Sequence, residues 1–246
     1  MAKNTSELSL IQTGDGSASL YHQGLEETYH SRHGAIAESK HVFVNHGLDY
    51  RLHLEHTDPQ RHNSKGLSIL EMGFGTGLNA LLTLLHQKDR INSRPSSGLN
   101  ASSVSINYTA LEGFPLSSEI YHGLDYAKQL GCEDDLFYQL HQAPWEVPTE
   151  ITPGFNLIKK NMRFQEYRAH DKHDIIYYDA FGARVQPELW EKERFKVLYA
   201  SMRDGGVFVT YAAKGSVRRA LQEVGFAVER LAGPPGKREM LRGTKP

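Results

Sequence analysis

Residues 67–85 read LSILEMGFGTGLNALLTLL, and no other stretch narrows the possible folds as far. Leu67, Ile69 and Leu70 give a short apolar run of strand length. Gly73-Phe74-Gly75-Thr76-Gly77 then breaks it, and Leu78, Leu81, Leu82 and Leu85 recur at the spacing of one helix face. Strand, glycine turn and helix together open a nucleotide-binding α/β unit, in which glycines let the backbone approach a ligand at the helix N-terminus. A dinucleotide fingerprint spaces its glycines G-x-G-x-x-G. Counted from Gly73, its third glycine would fall at position 78, which is Leu78; this chain has G-x-G-x-G, with Glu71 two residues ahead of the first glycine. A carboxylate at that point repels a pyrophosphate and suits a ligand that carries an amine or a sulfonium.

The pattern E-x-G-x-G-x-G resembles motif I of the class I S-adenosylmethionine (SAM)-dependent methyltransferases, and SAM carries both groups. The resemblance implies an α/β, Rossmann-like fold with a mostly parallel sheet, and a cofactor site that includes Glu71, Gly73, Phe74, Gly75, Gly77 and Asn79. Residues 104–111 read as the second strand, which ends at Glu112, where an acid typically binds ribose hydroxyls. Glu112 lies 35 residues past Gly77, beyond the usual ~20; the Ser-, Asn- and Gly-rich stretch 86–103, a surface insertion, accounts for the excess.

Further along, residues 35–44 suit a helix with Glu38 and Lys40 exposed. It forms part of an N-terminal extension (1–60) that either caps the cofactor or simply packs on residues 61–246, the methyltransferase domain. A helix is expected over 114–130, with Pro115 at its start and Gly131 at its end, and another from Asp134. Residues 155–160 look like a third strand, and Met162 or Phe164 just beyond it is placed to border an adenine ring. DIIYY (174–178) is a buried strand ending in Asp179-Ala180-Phe181, at the strand edge where open α/β sheets bind ligands. A helix from Pro187 to about Met202, a strand at 207–211, a helix at 216–224 and a strand at 226–231 continue the alternation, and a late hairpin adds an antiparallel strand.

The 246 residues suit one α/β domain with additions. No apolar run approaches the ~20 residues of a membrane span, and the polar N-terminus lacks a signal-peptide core. Cys132 is the only cysteine, so neither an internal disulfide nor a cysteine zinc cluster is available. The 13 histidines show no metal spacing, and no metal is expected; a cytoplasmic enzyme fits this composition. The net charge of −1 conceals an asymmetry: from Lys214 onward eight Lys or Arg face three Glu, a local charge of +5. Such a split is either a nucleic-acid footprint or a solvated basic tail.

YYDAFGARVQPELW, VTYAAKGSVRRALQEVGF, GPPGKREMLRGTK and the N-terminal GLEETYHSRHGAIAESKHVFVNHGL are similar to the methyltransferase domain of the MnmC family, from about Gly24 to Lys245. That family completes 5-methylaminomethyluridine at the tRNA wobble position by methylating a primary amine. The chain departs from many members in having Gly182-Ala183 after Phe181, and it stops at Pro246 without the flavin-dependent oxidase domain of bifunctional members. The resemblance therefore implies a stand-alone methyltransferase acting on tRNA, with a separate enzyme supplying the aminomethyl-uridine.

On this reading Asp179 accepts hydrogen bonds from the amine and takes its proton directly or through water. Phe181, Trp190 and Tyr211 are candidates to stack on the splayed base, though each equally suits a core position. Lys214, Arg218, Lys237 and Arg238 are candidates to meet phosphates; Arg218, like Arg219, equally suits an exposed helix face. Two alternatives stay open: an aminopropyltransferase resembling spermidine synthase, against which the basic C-terminus speaks, and a catalytically silent tRNA-binding module.

Overall fold

The computed structural model describes residues 7–57, 66–92 and 105–246. The N-terminal segment makes a small antiparallel sheet of its own, in which β1 (Leu8–Gln12) pairs with β2 (Ala18–His22) and β2 with β3 (Glu27–Thr28). A continuous helical stretch follows: α1 (Ala35–Ser39), a wider π-type run over Lys40–Asp49, and α2 (Tyr50–Thr57). Glu38 is buried in α1, not exposed as its sequence suggests, because the extension folds over the sheet and sets it against Lys237.

The remainder alternates strand and helix: β4 (Leu67–Met72), α3 (Leu78–Asn92), β5 (Ile106–Glu112), α4 (Ser118–Tyr121), α5 (Tyr126–Leu130), α6 (Asp134–Gln142), β6 (Thr149–Thr152) and β7 (Phe155–Asn161). Then come β8 (His173–Tyr178), α7 (Lys192–Ser201), β9 (Met202–Thr210), α8 (Gly215–Glu223), β10 (Ala227–Ala232) and β11 (Glu239–Thr244). Eight strands form one sheet in the order β10-β11-β9-β8-β4-β5-β7-β6. The middle five are parallel, while β6, β10 and β11 run antiparallel to their neighbours. Taken along the sheet from β7, those five are third, second, first, fourth and fifth in the chain. The order therefore reverses between β4 and β8, the crevice where such sheets bind ligands.

Strand alternation divides the core. Leu67 and Ile69 of β4 pack with α3, α6 and the N-terminal helix, while Leu70 and Met72 pack with α7 and α8. Both β4 and β8 are buried along their whole length, as a parallel sheet covered on two faces requires. Glu71 shares parity with Ile69, so its side chain enters the α3 side of the sheet.

Several boundaries differ from the sequence reading. The helix expected over 114–130 is two short ones. Asp125 between them is non-helical, and its carboxylate accepts the Ala18 N–H of β2 at 3.3 Å. The helix expected from Pro187 to Met202 begins as a 3-10 turn, Pro187–Trp190, and restarts as α7 after Glu191 leaves helical geometry. Edge strand β6 carries no sequence signal of its own. The supposed insertion opens with helix, since α3 runs to Asn92. Its remainder, and the expected boundary near residue 60, lie outside the described residues. No helix among the described residues is long and apolar enough to cross a membrane.

Candidate active site

A cavity of about 980 Å³ opens over the carboxyl ends of the parallel strands. Its floor is the loop after β4, the turn Glu112–Leu116 after β5, Arg163–Gln165 after β7 and Asp179–Gly182 after β8. Its roof comes from the N-terminal sheet, with Tyr29 and His30, and from Glu38 of α1 and Lys237 in the turn before β11.

The glycines serve the backbone path. Gly73 has φ +106°, and a Cβ there would press on the Asp179 carbonyl oxygen at 2.9 Å, so only glycine lets the ends of β4 and β8 come this close. Glu112 caps the loop: one carboxylate oxygen accepts the Gly75 N–H at 2.9 Å and the other the Phe114 N–H at 2.8 Å. A carboxylate has about four acceptor sites, and Glu112 lines the cavity, so its carboxylate is placed to meet hydroxyl donors there. His30 Nε2 lies 2.8 Å from the Thr76 hydroxyl, and burial holds the ring at about 4, so it is a neutral imidazole at pH 7.

Asp179 sits at the centre. The Asn79 side chain, on the first turn of α3, donates to its carboxylate at 2.8 Å. Asp179 keeps some accessible surface because it faces the cavity, yet protein atoms ring it on every other side. Burial, together with the Glu38 carboxylate, pushes the Asp179 carboxyl up to about 7; the Asn79 hydrogen bond and the Lys237 ammonium oppose that rise. Behind Asn79 lies Glu71, fully buried, its carboxyl beside Asn79 and Tyr108 but without a well-aligned hydrogen bond among the described residues; the Asn79 Oδ1 is equally unpartnered. Burial holds the Glu71 carboxyl well above its ordinary range, with Asn79 and Tyr108 acting against the rise and Asp179 and Glu112 adding to it.

Of the residues expected on the cofactor side, Gly73, Phe74, Gly75, Asn79 and Glu112 line this cavity. Glu71 and Gly77 stand behind it: a Cβ at Gly77 would meet the His141 ring at 2.8 Å. Met162 is a correction. It packs against the core under α7 and α8, and its neighbours Arg163 and Phe164 line the cavity in its place.

On the acceptor side, Phe181 lines the cavity with its ring edge-on to Tyr29 at 5.1 Å. Tyr211 lines it too, but its hydroxyl is tied to the Ala180 carbonyl at 2.7 Å and the Lys237 ammonium stands 3.9 Å over its ring. Trp190 lies mostly in the core, where it is 6% exposed, donates its indole N–H to the Phe181 carbonyl at 2.8 Å and meets Tyr178 edge-on; it does not line this cavity, only the groove beside it. Lys237 is corrected from a tail cation to an inward-facing one, in an ion pair with Glu38. Lys214 and Arg238, with Arg184, rim a shallower groove of about 620 Å³ beside the cavity; Glu27, Gly182, Tyr211 and Lys237 line both. Arg218 lines neither. Much of the tail's charge is internally paired, Arg242 with Glu229, Arg230 with Glu239 and Lys245 with Asp171 and Asp204.

Sequence reasoning did not single out Tyr29, His30 or Glu38 as site residues, although all three lie within GLEETYHSRHGAIAESKH, a stretch noted for its resemblance. The cavity is also acidic: Glu27, Glu38, Glu112, Asp179 and Glu188 face Arg163 and Lys237. A basic tail therefore does not argue against an amine substrate, because of the tail's cations only Lys237 lines the cavity, and it is paired with Glu38.

The site fits SAM on its own terms. A glycine loop and an acid-capped turn can accept the nucleoside, and Asn79, which lines the cavity with its Oδ1 buried and unpartnered among the described residues, can accept from an amine. Residues 154–246 match the model of a family described as S-adenosyl-L-methionine-dependent methyltransferase. The chain is 28% identical over 233 residues to the tRNA 5-methylaminomethyl-2-thiouridine biosynthesis bifunctional protein MnmC of Pseudoalteromonas atlantica, covering 89% of this chain and 31% of that protein. The MnmC of Pseudoalteromonas translucida is 27% identical over 91% of this chain and 35% of its own length, so the chain spans about a third of these relatives. Among solved structures, MnmC2 from Aquifex aeolicus aligns with a TM-score of 0.69 at 23% identity, covering 96% of this chain and 70% of that one. A spermidine synthase bound to the transition-state analogue AdoDATO aligns with a TM-score of 0.58 at 15% identity, covering 97% and 70%. These structures share the fold.

Proposed function

We propose that this chain is an S-adenosyl-L-methionine-dependent methyltransferase and methylates the aminomethyl nitrogen of 5-aminomethyluridine, with or without a 2-thio group, at the wobble position of tRNA, a reading that its similarity to MnmC proteins supports. The observation that carries this reading is Asp179: a carboxyl at about 7, across the strand-order reversal from the glycine loop, held by a side chain of the helix that loop begins. SAM supplies a methyl group already activated on its sulfonium. The chain's own residues then position and deprotonate. Asp179 accepts an N–H of the incoming amine, and as the nitrogen gains the methyl it takes the proton that nitrogen sheds. Asn79 holds the carboxylate so that one oxygen stays directed at the cavity. Alignment of this kind can supply ~7–11 kcal/mol of the barrier in favourable cases.

Phe181 and Tyr29 offer an aromatic wall for a splayed base. Arg184, Lys214 and Arg238 rim the adjoining groove, where the flanking phosphates would lie. A separate enzyme supplies the aminomethyl group in this scheme. The acid-lined cavity equally suits a diamine, and aminopropyl transfer is the second reading. One assay separates them: methyl transfer from labelled SAM to tRNA from cells lacking this protein, followed by nucleoside analysis, beside putrescine with decarboxylated SAM. Label in 5-methylaminomethyluridine is the expected result; label only in spermidine would replace this reading with the second.

A further inference from the structure

Charged groups from three distant parts of the chain meet in the wall of the cavity: Glu38 from α1, Asp179 after β8, and Lys237 before β11. Glu38 is 5% exposed, and its carboxylate accepts the Ser31 N–H at 2.7 Å and the Lys237 ammonium at 2.5 Å. Lys237 lies over the Tyr211 ring, and Tyr211 is itself bonded to Ala180, the residue after Asp179. Burying two charges is expensive, and well-packed apolar side chains hold two elements together as well or better. An ion pair in the same cavity wall as Asp179, the carboxyl read as proton acceptor, therefore invites a role in the chemistry.

We propose that Glu38 and Lys237 are positioning residues for Asp179, Glu38 placing a second negative charge beside it and Lys237 a countercharge, so that the pair fixes the pH at which the acceptor site can take a proton. This rests on the reading of Asp179 as proton acceptor. The signs agree: after burial itself, Glu38 raises the proton affinity of Asp179, and Lys237 lowers it. The other groups facing Asp179 do not supply this control. Asn79 is neutral, and burial keeps Tyr108, Tyr126 and Tyr211 protonated through neutral pH. Burial holds the His30 imidazole neutral, at about 4. Glu71 can titrate with Asp179 but lies behind Asn79 and is unchanged in every variant below.

A merely structural latch and a charge role differ in sign. Breaking a latch from either side loosens the same contact, whereas removing opposite charges moves Asp179 in opposite directions. The test is the titration of the Asp179 carboxyl by ¹³C NMR of aspartate-labelled, cofactor-free protein, the resonance assigned with Asp179→Asn. Glu38→Gln should lower the midpoint and Lys237→Gln raise it, each by about one pH unit. The double variant should return near the wild-type value, and Lys237→Arg, which keeps the charge, should leave it in place. Midpoints that move together, or stay put in both single variants, overturn the proposal. If Glu38→Gln does not fold, the comparison of Lys237→Gln with Lys237→Arg decides alone, since that side chain is 30% exposed and tolerates replacement better. Assaying the same proteins on tRNA keeps the two readings apart: midpoints that move as stated in a protein that methylates no tRNA would remove the function and leave the charge pairing standing.

Discussion

Strand β8 carries one aspartate at each end, and the two live in opposite worlds. Asp174, at the amino end, is 2% exposed and fully engaged. It accepts the Ser68 N–H at 2.8 Å and the Arg203 guanidinium at 2.6 Å, with Arg51 3.7 Å away. Around it, Ser68 meets His173 at 3.0 Å, and His173 meets Tyr167 at 2.5 Å. Asp179, just past the carboxyl end, has one side-chain hydrogen bond among the described residues, from Asn79, and burial pushes it up to about 7. A buried carboxylate surrounded by donors fastens the strands together. One left short of donors keeps capacity for a ligand, and the fold stands the cost because the other end is so well tied.

The largest expected effect breaks that comparison at the functional end. Asp179→Asn keeps the shape and an acceptor oxygen but can take no proton, so kcat should fall by ~10²–10⁴-fold with SAM affinity little changed. Wild-type single-turnover rates should rise with pH through about 7 as Asp179 loses its proton, and the variant should lack that limb beyond what the amine's own ionisation imposes on both. A variant as fast as wild type would make Asp179 a turn residue. Next in size, Asp174→Asn removes the charge that meets Arg203 at 2.6 Å and Arg51 at 3.7 Å; Arg51 keeps Glu55 at 3.1 Å, so the loss should fall below the ~3–5 kcal/mol of a fully broken buried pair. Denaturation should show it, while methyl transfer per folded molecule stays near wild type; a rate defect as large as that of Asp179→Asn would mean that the two ends are coupled.

The sequence carried the floor of the site and not its roof. Glu71, the glycines, Glu112 and Asp179 stand at strand ends, where period and turn chemistry place them without any tertiary contact. Glu38 could not be placed that way. Its neighbours suit an exposed helix face, and only the fold of the extension over the sheet buries it against Lys237. Lys237 misled for the same reason, since a cation in a basic tail carries no mark of which way it turns. Trp190 and Phe181 stand nine residues apart, yet Trp190 packs on Tyr178 in the core and Phe181 on Tyr29 in the cavity, contacts that only the folded chain brings about.

A smaller effect sharpens the account of the loop. Glu112 caps Gly75 and Phe114 as well as facing the cavity, so Glu112→Ala removes a loop contact together with any bond to the cofactor. Glu112→Gln retains one acceptor oxygen, so it keeps one of the two loop bonds and loses the other together with the charge. Calorimetry should find SAM binding weakened by roughly ten-fold or more in the Ala variant, in keeping with a lost hydrogen bond to a charged group, and by less in the Gln variant. Unchanged affinity in both would take Glu112 out of the site.

The smallest effect returns to the two aspartates through stability. Unfolded, Asp179 loses its proton near its ordinary 3.8; folded, it keeps it until about 7. Between those values the native state binds more protons than the unfolded chain, so stability falls as pH rises across the window and levels off on either side. Ionised Asp179 is thus a liability to the fold at pH 8, and Asp179→Asn should remove it. Water reaching the cavity screens part of the charge, so the expected gain is on the order of a few degrees in Tm. Cofactor-free protein melted at pH 5 and pH 8 should show the variant gaining on wild type only as pH rises. Asp174→Asn should lie below wild type at both. Parallel curves for wild type and Asp179→Asn would show that Asp179 titrates in the folded protein where it does in the unfolded chain, and the contrast between the two ends of β8 would then rest on geometry alone.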